Sequence, residues 1–263
     1  MHNFQFVKPV TLQDAVTALA SEDAQALSGG QTLLPTMKQR LAAPEVLVSL
    51  TAIPELKGVC VSDANALCIG AATTHATVAT EAKHHFPGLA GMAAHIGDPA
   101  VRNLGTIGGS IANNDPSACY PAAALGTGAT ILTNAREIPA DDYFQGMFET
   151  ALDEGEIITE VRLPIPLVSN YQKFVQPASR FALVGVFVAK YADGVRVAVT
   201  GASEEGVFRW TQAEAVLSAD FTAAAIDGLS IAADGMIGDL HGTPAYRAHL
   251  VKIMTARAVT AAS

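Results

Sequence analysis

Charge and aromatic content are low in this chain. Lys and Arg together supply only 16 of the 263 residues, all charged residues make up 16%, and aromatic residues make up 6%. Acidic side chains outnumber basic ones, which gives a formal net charge of −9. The shortage of basic clusters excludes a nucleic-acid surface. The hydrophobic content of 50% is enough to bury a sizeable core, so a disordered chain is excluded as well.

Cysteine is scarce, and long apolar runs are missing. Cys60, Cys68 and Cys119 form no C-x-x-C pair, so the sequence supports neither a zinc site nor an iron–sulfur cluster in this chain. We expect Cys60 and Cys68 to be buried free thiols in a reducing, cytoplasmic compartment. The first residues read as a short strand rather than a signal peptide, and no window reaches the ~18 uncharged residues of a membrane span.

Three common catalytic and nucleotide-binding motifs are also absent. Gly126-Thr127-Gly128 begins like a dinucleotide fingerprint, but Ile131 stands where the third glycine would be. The chain contains neither the Gly-Lys-Ser/Thr of a P-loop nor the G-x-S-x-G of a nucleophilic hydrolase. We therefore expect a cofactor to carry the chemistry and the protein to bind and orient it.

Two glycine-rich segments are the most informative features that are present. The sequence reads SGGQTLLP at 28–35 and GTIGGSIANNDP at 105–116. Glycine permits positive φ and lets a ligand approach the backbone closely, and free amides with hydroxyls form a concave surface for an anion such as a pyrophosphate. The spacing indicates one extended phosphate-bearing cofactor held from two sides. The alternative is that both segments are ordinary turns.

Periodicity predicts a mixed order of helices and strands. The first glycine segment is expected between a strand at 24–27 and a helix, and the second is expected to be a loop anchored in the core by Ile107 and Ile111. The pattern predicts a hairpin at 58–71, helices at 73–85, 89–95, 211–217 and 244–262, and strands at 156–164, 171–174, 181–191 and 195–202. Two prolines in 163–170 mark a domain boundary.

Four stretches together resemble a known family. These are SGGQTLLPTMK at 28–38, VRNLGTIGGSIA at 101–112, Asp115-Pro116, and DLHGTPAYR at 239–247. In sequence, order and spacing they resemble the FAD-binding medium subunit of the molybdenum hydroxylases, the xanthine dehydrogenase and carbon monoxide dehydrogenase family. The resemblance covers nearly the whole chain.

The resemblance implies a fold and a domain order. The fold would be α+β, with an FAD-binding domain of the vanillyl-alcohol-oxidase (PCMH-like) type in two lobes. That domain would span residues 1–166, with lobes of about 1–52 and 53–166. A smaller α+β domain of antiparallel sheet and helices, like the C-terminal domain of carbon monoxide dehydrogenase flavoproteins, would span 167–263.

The resemblance also implies an electron-transfer role. A large partner subunit would carry molybdopterin and a small one two [2Fe–2S] clusters, in a heterotrimer that is doubled. Substrate would be hydroxylated at molybdenum, and electrons would pass through the clusters to FAD in this chain and on to an external acceptor. The substrate and the acceptor stay open.

The family's FAD contacts transfer to particular positions of this sequence. They fall on Leu27, Ser28, Gly29, Gly30, Gln31, Thr32 and Leu33 in the first segment, and on Thr106, Gly108, Gly109 and Ser110 in the second. The resemblance further places Ile69, Ile158 and Lys173 near the flavin ring system. Cys119 stands where many relatives have an acidic residue that contacts the ribityl chain or ribose, and Arg180 stands where they have Asp.

Two other functions remain open on the sequence. A stand-alone FAD oxidase or dehydrogenase of the same fold would need its own substrate pocket and often a covalent flavin link, for which His75 and Cys119 are the nearby residues. A scaffold whose glycine segments are only turns would retain no nucleotide.

Overall fold

Helices and strands alternate irregularly through residues 1–177 and 179–262, which the computed structural model describes. The strands are β1 (Gln5–Val7), β2 (Ala24–Leu27), β3 (Val46–Ser49), β4 (Val59–Val61), β5 (Ala66–Gly70), β6 (Thr130–Thr133), β7 (Glu137–Pro139), β8 (Phe144–Gly146), β9 (Glu149–Thr150), β10 (Ile158–Pro164), β11 (Val168–Val175), β12 (Ala182–Lys190), β13 (Val195–Ser203) and β14 (Gly206–Arg209). The helices are α1 (Leu12–Leu19), α2 (Leu33–Lys38), α3 (His75–Glu81), α4 (Pro87–Ala94), α5 (Pro99–Leu104), α6 (Ile107–Asn113), α7 (Tyr120–Thr127), α8 (Ala140–Tyr143), α9 (Thr211–Ala219) and α10 (Pro244–Ala261). In the described part of the chain no helix is both long and apolar enough to cross a lipid bilayer.

The N-terminal lobe is a small parallel sheet with its own core. Its strands lie in the order β1-β3-β2, and both pairs are parallel. Helix α1 begins where the Thr11 hydroxyl accepts the Asp14 amide at 3.2 Å, which satisfies one of the free amides of the first turn. Ala15 and Leu19 of this helix pack against Val48 under the sheet.

The second lobe is a five-stranded sheet in the order β4-β5-β10-β6-β7, with antiparallel neighbours. One face of the sheet carries Leu67, Val161 and Ile131, which join a large apolar core with residues of α6 and α7. The predicted hairpin at 58–71 is confirmed as the β4–β5 pair.

Cysteine placement differs from the expectation at one position. Cys68 in the interior strand β5 is buried, as expected, whereas Cys60 is exposed. The two residues are cross-strand partners, but β4 is the edge strand of the sheet. In the described residues β4 has a neighbouring strand on one side only, which leaves the side chain of Cys60 at the open edge of the sheet. An edge position cannot be read from an apolar run alone.

The C-terminal residues form a four-stranded antiparallel sheet, β11-β12-β13-β14, that is covered on both faces. Helices α4 and α7 pack on one face, and α9 and α10 pack on the other. Alternate residues of β12 therefore enter different cores: Phe187 joins that of the second lobe, while Val186 and Val188 join that of the C-terminal helices. Burial on both faces explains why 182–189 is an unbroken apolar run.

The predicted α+β class is confirmed, with antiparallel second and third sheets. The second glycine segment is not the expected loop, because Thr106 caps helix α6 and its hydroxyl accepts the Gly109 amide. Glycines 108 and 109 thus lie in the first turn of a helix. In α10, Leu250 and Met254 are buried, whereas Tyr246 is exposed. The domain limits of 1–166 and 167–263 stay a prediction.

A buried asparagine anchors the β8–β9 hairpin. Asn114 ends α6 in a left-handed conformation with φ of 42°. Its side-chain amide donates to the carbonyl oxygens of Gly146 and Glu149 at 2.7 and 2.8 Å. The tip of this hairpin carries Met147, which reaches the central cleft described below.

Replacing Asn114 tests this anchor. Asn114→Ala leaves two carbonyl groups unpaired and forces alanine into the left-handed region, so we expect the free energy of unfolding to fall by about 3 kcal/mol. Asn114→Gly removes the same hydrogen bonds without the backbone strain, and we expect it to lose about 2 kcal/mol. Urea denaturation measures both. Wild-type stability in the glycine variant would contradict the anchor, and an alanine variant as stable as the glycine variant would contradict the left-handed conformation.

Candidate functional site

A cleft of about 1280 Å³ lies where the two lobes meet the C-terminal sheet. Its walls come from the β2–α2 connection, from α6 and the residues after it, and from 156–158. Lys173, Ser179, Arg180 and Phe181 form a further wall together with residues from the stretch 237–247. The volume exceeds the roughly 300–1,000 Å³ that pockets for drug-sized ligands usually have. A dinucleotide-sized ligand fits this space better than a mononucleotide.

The first glycine segment presents a run of unused backbone amides. The N–H groups of residues 28–32 find no acceptor in the described ranges, and these residues line the cleft. Gly30 has φ of 68°, which turns the chain between β2 and α2. Successive free amides at such a turn form a concave donor surface that suits an anion.

The second glycine segment shapes the wall of the cleft rather than supplying free backbone amides to it. The Gly108 N–H donates to Ala71 O at 2.9 Å and the Ile107 N–H to Thr73 O at 3.2 Å, while the Gly109 N–H donates to the Thr106 hydroxyl at 3.2 Å. The expectation that both segments offer free amides is therefore correct for the first segment only. The second segment offers a close-packed glycine surface and the hydroxyl of Ser110.

The two segments contact each other directly. The hydroxyls of Ser28 and Thr106 lie 2.8 Å apart. A Cβ on Gly29 would lie 2.6 Å from the Cα of Gly105 and would overlap the carbonyl oxygen of Leu104. Only glycine permits this approach of two backbones, and the approach brings the free amides to the cleft.

Lys173 and Cys119 lie together at another wall of the cleft. The Lys173 ammonium donates to His95 O at 2.7 Å and to Arg180 O at 2.9 Å, and it lies 3.7 Å from the Cys119 sulfur. Lys173 is half-buried rather than a solvated surface lysine. It joins β11 to the end of α4 and to the turn before β12, so its charge is fixed in place at the cleft.

Ile158 lies on a wall that an ion-pair network supports. Glu156 accepts hydrogen bonds from Arg136, from the Thr133 hydroxyl at 2.6 Å and from the Asp153 amide. The Arg136 guanidinium, helped by the Thr133 hydroxyl and opposed by burial, lowers the pKa of Glu156 to about 2. Glu156, Ile157 and Ile158 line the cleft, and the network fixes their backbone.

One expected contact lies elsewhere. Ile69 is fully buried in β5, paired with Val161 and Val59, and it packs in the core with Ile107. It does not line the cleft, which takes Ala71 and Ala72 from the residues after the strand. All the other residues that the sequence assigned do line it: Leu27, Ser28, Gly29, Gly30, Gln31, Thr32, Leu33, Thr106, Gly108, Gly109, Ser110, Cys119, Ile158 and Lys173.

The structure adds cleft residues to the FAD contacts that the resemblance implies, and one of them is His75, which the sequence offered only as a candidate for a covalent flavin link. His75 is buried at the cleft, its ring lies 5.2 Å from that of Tyr120, and its Nδ1 has no hydrogen-bond partner in the described residues. Burial, with a smaller effect of Arg102, lowers its pKa to about 4, so the imidazole is neutral at pH 7. Arg180, Phe181, Asp239, His241 and Arg247 also line the cleft. The stretch 239–247 was visible as a signature, but no local pattern indicated its contact with the cleft.

The cleft has the chemistry that FAD requires. Five consecutive free amides suit a pyrophosphate, and the cleft is long enough to involve all three parts of the fold. Apolar walls at Leu50, Leu56 and Ile157 suit a ring system, and the orphaned Nδ1 of His75 is a polar group that still needs a partner.

Comparison with known proteins agrees with this chemistry. A family profile described as the FAD binding domain in molybdopterin dehydrogenase matches residues 2–166. The chain is 32% identical over 278 residues to the carbon monoxide dehydrogenase medium chain of Hydrogenophaga pseudoflava, covering 98% of this chain and 96% of that one. It is also 32% identical over 275 residues to the nicotine 6-hydroxylase medium subunit of Paenarthrobacter nicotinovorans, with coverage of 98% and 96%.

Solved structures show the same similarity. Reconstituted CO dehydrogenase from Oligotropha carboxidovorans superposes with a TM-score of 0.90 at 30% identity, covering 98% of this chain and 97% of that one. Quinoline 2-oxidoreductase from Pseudomonas putida 86 superposes with a TM-score of 0.88 at 30% identity, covering 98% and 96%. The expected fold type is thereby confirmed over nearly the full chain.

Substitution of Gly29 tests the contact between the two glycine segments. Gly29→Ala places a methyl group inside the Leu104–Gly105 backbone, so we expect a loss of about 1–3 kcal/mol of stability together with loss of bound FAD. Gly91→Ala is the matched control, because no atom lies within 4 Å of a Cβ there. That change in α4 should be neutral or stabilising by up to about 1 kcal/mol. Full flavin retention in Gly29→Ala would show that the contact is dispensable.

The Glu156 network predicts a dependence of stability on pH. Its folded pKa of about 2 is below the ordinary 4.5, so the ionised carboxylate stabilises the fold above that ordinary value. This stabilisation is lost as the pH falls from 4.5 toward 2. Glu156→Gln should therefore melt at a lower temperature at pH 7 and lose less on acidification. Parallel melting curves of the two proteins against pH would refute the role of this carboxylate.

Proposed function

The chain belongs to the FAD-binding medium subunits of the molybdenum hydroxylase family, and from this premise we propose that it carries electrons from [2Fe–2S] clusters of a partner chain, through FAD, to an external acceptor. The chain binds FAD and forms part of an oxidoreductase. The proposal concerns the route of the electrons and the assembly in which they travel.

The first glycine segment would hold the FAD pyrophosphate. Its free amides from Ser28 to Thr32 supply donors without a positive charge, and the glycine surface at Gly108 and Gly109 lets the cofactor approach α6. Cys119, Ile158 and Lys173 line the remaining walls and would contact other parts of the cofactor. Bound FAD supplies the one- and two-electron chemistry, and the protein orients it and excludes water.

The observation that carries the proposal is the similarity over nearly the whole chain to carbon monoxide dehydrogenase medium chains. Two charged groups at the cleft agree with it, because the Lys173 ammonium donates to two carbonyl oxygens and Glu156 is committed to Arg136. A flavoenzyme that oxidises an organic substrate itself would need a group to take the substrate's proton. Electron transfer between cofactors needs only orientation and a fixed electrostatic environment.

The proposed partners are a large molybdopterin subunit and a small subunit with two [2Fe–2S] clusters, in a doubled heterotrimer. The support is the similarity over 98% of this chain to medium chains of carbon monoxide dehydrogenase and of nicotine 6-hydroxylase. A cytoplasmic site for the assembly is part of the proposal and is supported by three unpaired cysteines.

Removal of flavin from the purified complex tests the proposed route. Clusters reduced with a stoichiometric amount of dithionite should pass electrons to NAD or oxygen only when this chain holds FAD, and ferricyanide is left out because it takes single electrons from the clusters directly. We expect the reoxidation of the clusters to slow greatly in the deflavinated complex and to recover when FAD is added back. Reoxidation at an unchanged rate without flavin would overturn the proposal.

A measurement on the isolated chain distinguishes a stand-alone oxidase from an electron-transfer subunit. In that case the isolated chain loaded with FAD would reduce an acceptor at the expense of a small organic substrate without any partner. The orphaned Nδ1 of His75 at the cleft is the feature that favours this alternative.

A further inference from the structure

A buried arginine forms part of the C-terminal wall of the cleft. The Arg247 side chain is 2% exposed. One nitrogen, Nη1, donates to the carbonyl oxygens of Leu183 and Gly201 at 2.7 and 2.6 Å, and Nη2 donates to the Asp239 carboxylate at 2.7 Å. The guanidinium therefore joins α10 to β12, to β13 and to the turn that follows Gly238.

The Asp239 carboxylate organises that turn with its other oxygen. Oδ1 accepts the amides of His241 and Gly242 at 2.9 and 3.1 Å, while Oδ2 takes the bond from Arg247. The turn closes with a second pair of backbone hydrogen bonds between Asp239 and Gly242. The position of the turn is thus set by the Asp239 carboxylate, which the Arg247 guanidinium holds.

The turn presents His241 to the cleft. The imidazole meets the ring of Phe181 edge to face, with 5.3 Å between the centroids, and both residues line the cleft. The Arg180 carbonyl, one residue earlier, accepts from Lys173. A continuous set of contacts therefore runs from Arg247 through Asp239 and His241 to the wall that holds Lys173.

A second set of contacts connects Arg247, through β13, to residues 115–119. The Gly201 carbonyl accepts from Arg247, and the Gly201 amide donates to Pro116 O at 2.7 Å. The Thr200 hydroxyl donates to Pro116 O and Ala118 O, both at 2.8 Å. Residues 115–119 line the cleft, so the same guanidinium supports two of its walls.

Stability alone does not account for this arrangement. Burial of a charged guanidinium costs desolvation energy, and well-packed apolar residues in place of a buried ion pair often leave a protein equally stable or more so. An apolar side chain could not fix a turn through a carboxylate or bind two strand carbonyl groups. The advantage of the buried Arg247–Asp239 pair therefore lies in the cleft geometry that it fixes.

We propose that Asp239 and Arg247 are positioning residues that hold the 239–242 turn against bound FAD, and that His241 is the residue of this turn that contacts the cofactor. Residues 239–242 thereby have an FAD-binding role that is separate from the role of the two glycine segments. It is independent of the route by which electrons leave the flavin.

A double-mutant cycle on the full chain tests this assignment. Asp239→Asn and His241→Ala should each raise the FAD dissociation constant by about five- to tenfold, and the double variant should be no worse than either single one. Non-additivity is expected because Asp239 acts through His241. The dissociation constant is measured from flavin fluorescence, and the melting temperature is measured on the same samples.

Two arginine variants separate positioning from general stability. Arg247→Lys keeps the charge, but a single ammonium nitrogen cannot span the acceptors that Nη1 and Nη2 of arginine reach separately, so the FAD dissociation constant should rise as in Asp239→Asn. Arg209→Lys is the matched control, because Arg209, in strand β14 of the same sheet, pairs with Glu214 of helix α9 and does not line the cleft. It should leave the constant unchanged.

His241→Ala keeps the test decisive if the other variants fold poorly, because His241 is exposed. An unchanged dissociation constant in His241→Ala would overturn the proposal. Additive effects of Asp239→Asn and His241→Ala would overturn it as well.

Discussion

The close approach of two backbones at Gly29 and Gly105 is the constraint on which the cleft depends. Because neither residue has a side chain there, the end of β2 reaches the residue before Thr106, and the Ser28 and Thr106 hydroxyls meet at 2.8 Å. The contact joins the two lobes at the cleft that residues 28–32 line, and the amides of these residues have no acceptor in the described ranges. The anion-binding surface is therefore a result of lobe packing and not of the glycine loop alone.

The C-terminal sheet completes the cleft because it is packed on both faces. Its strands β12 and β13 contact α7 on one side and the C-terminal helices on the other, and they hold residues 116 and 118 through Thr200. Lys173 on the neighbouring strand β11 reaches across to His95. Two distant parts of the sequence thus supply walls of one cleft.

The sequence predicts features that short-range signals control and misses those that depend on tertiary contacts. The strand–glycine–helix order around Gly29 and the start of α10 at Pro244 follow from local turn and capping chemistry. The exposure of Cys60 depends on which strand is the sheet edge, and the burial of Ile69 depends on which face α6 covers. The amide of Gly108 is unavailable because Ala71, far away in sequence, accepts it. Arg247 reaches the cleft through partners more than forty residues away.

The most direct test of the account is an experimental structure of the chain with FAD bound. The account predicts the two phosphates within hydrogen-bond distance of the amides of residues 28–32, with the second glycine segment packed against them through Gly108 and Gly109. A pyrophosphate held mainly by side chains elsewhere in the cleft, with the 28–32 amides facing solvent, would contradict the central claim.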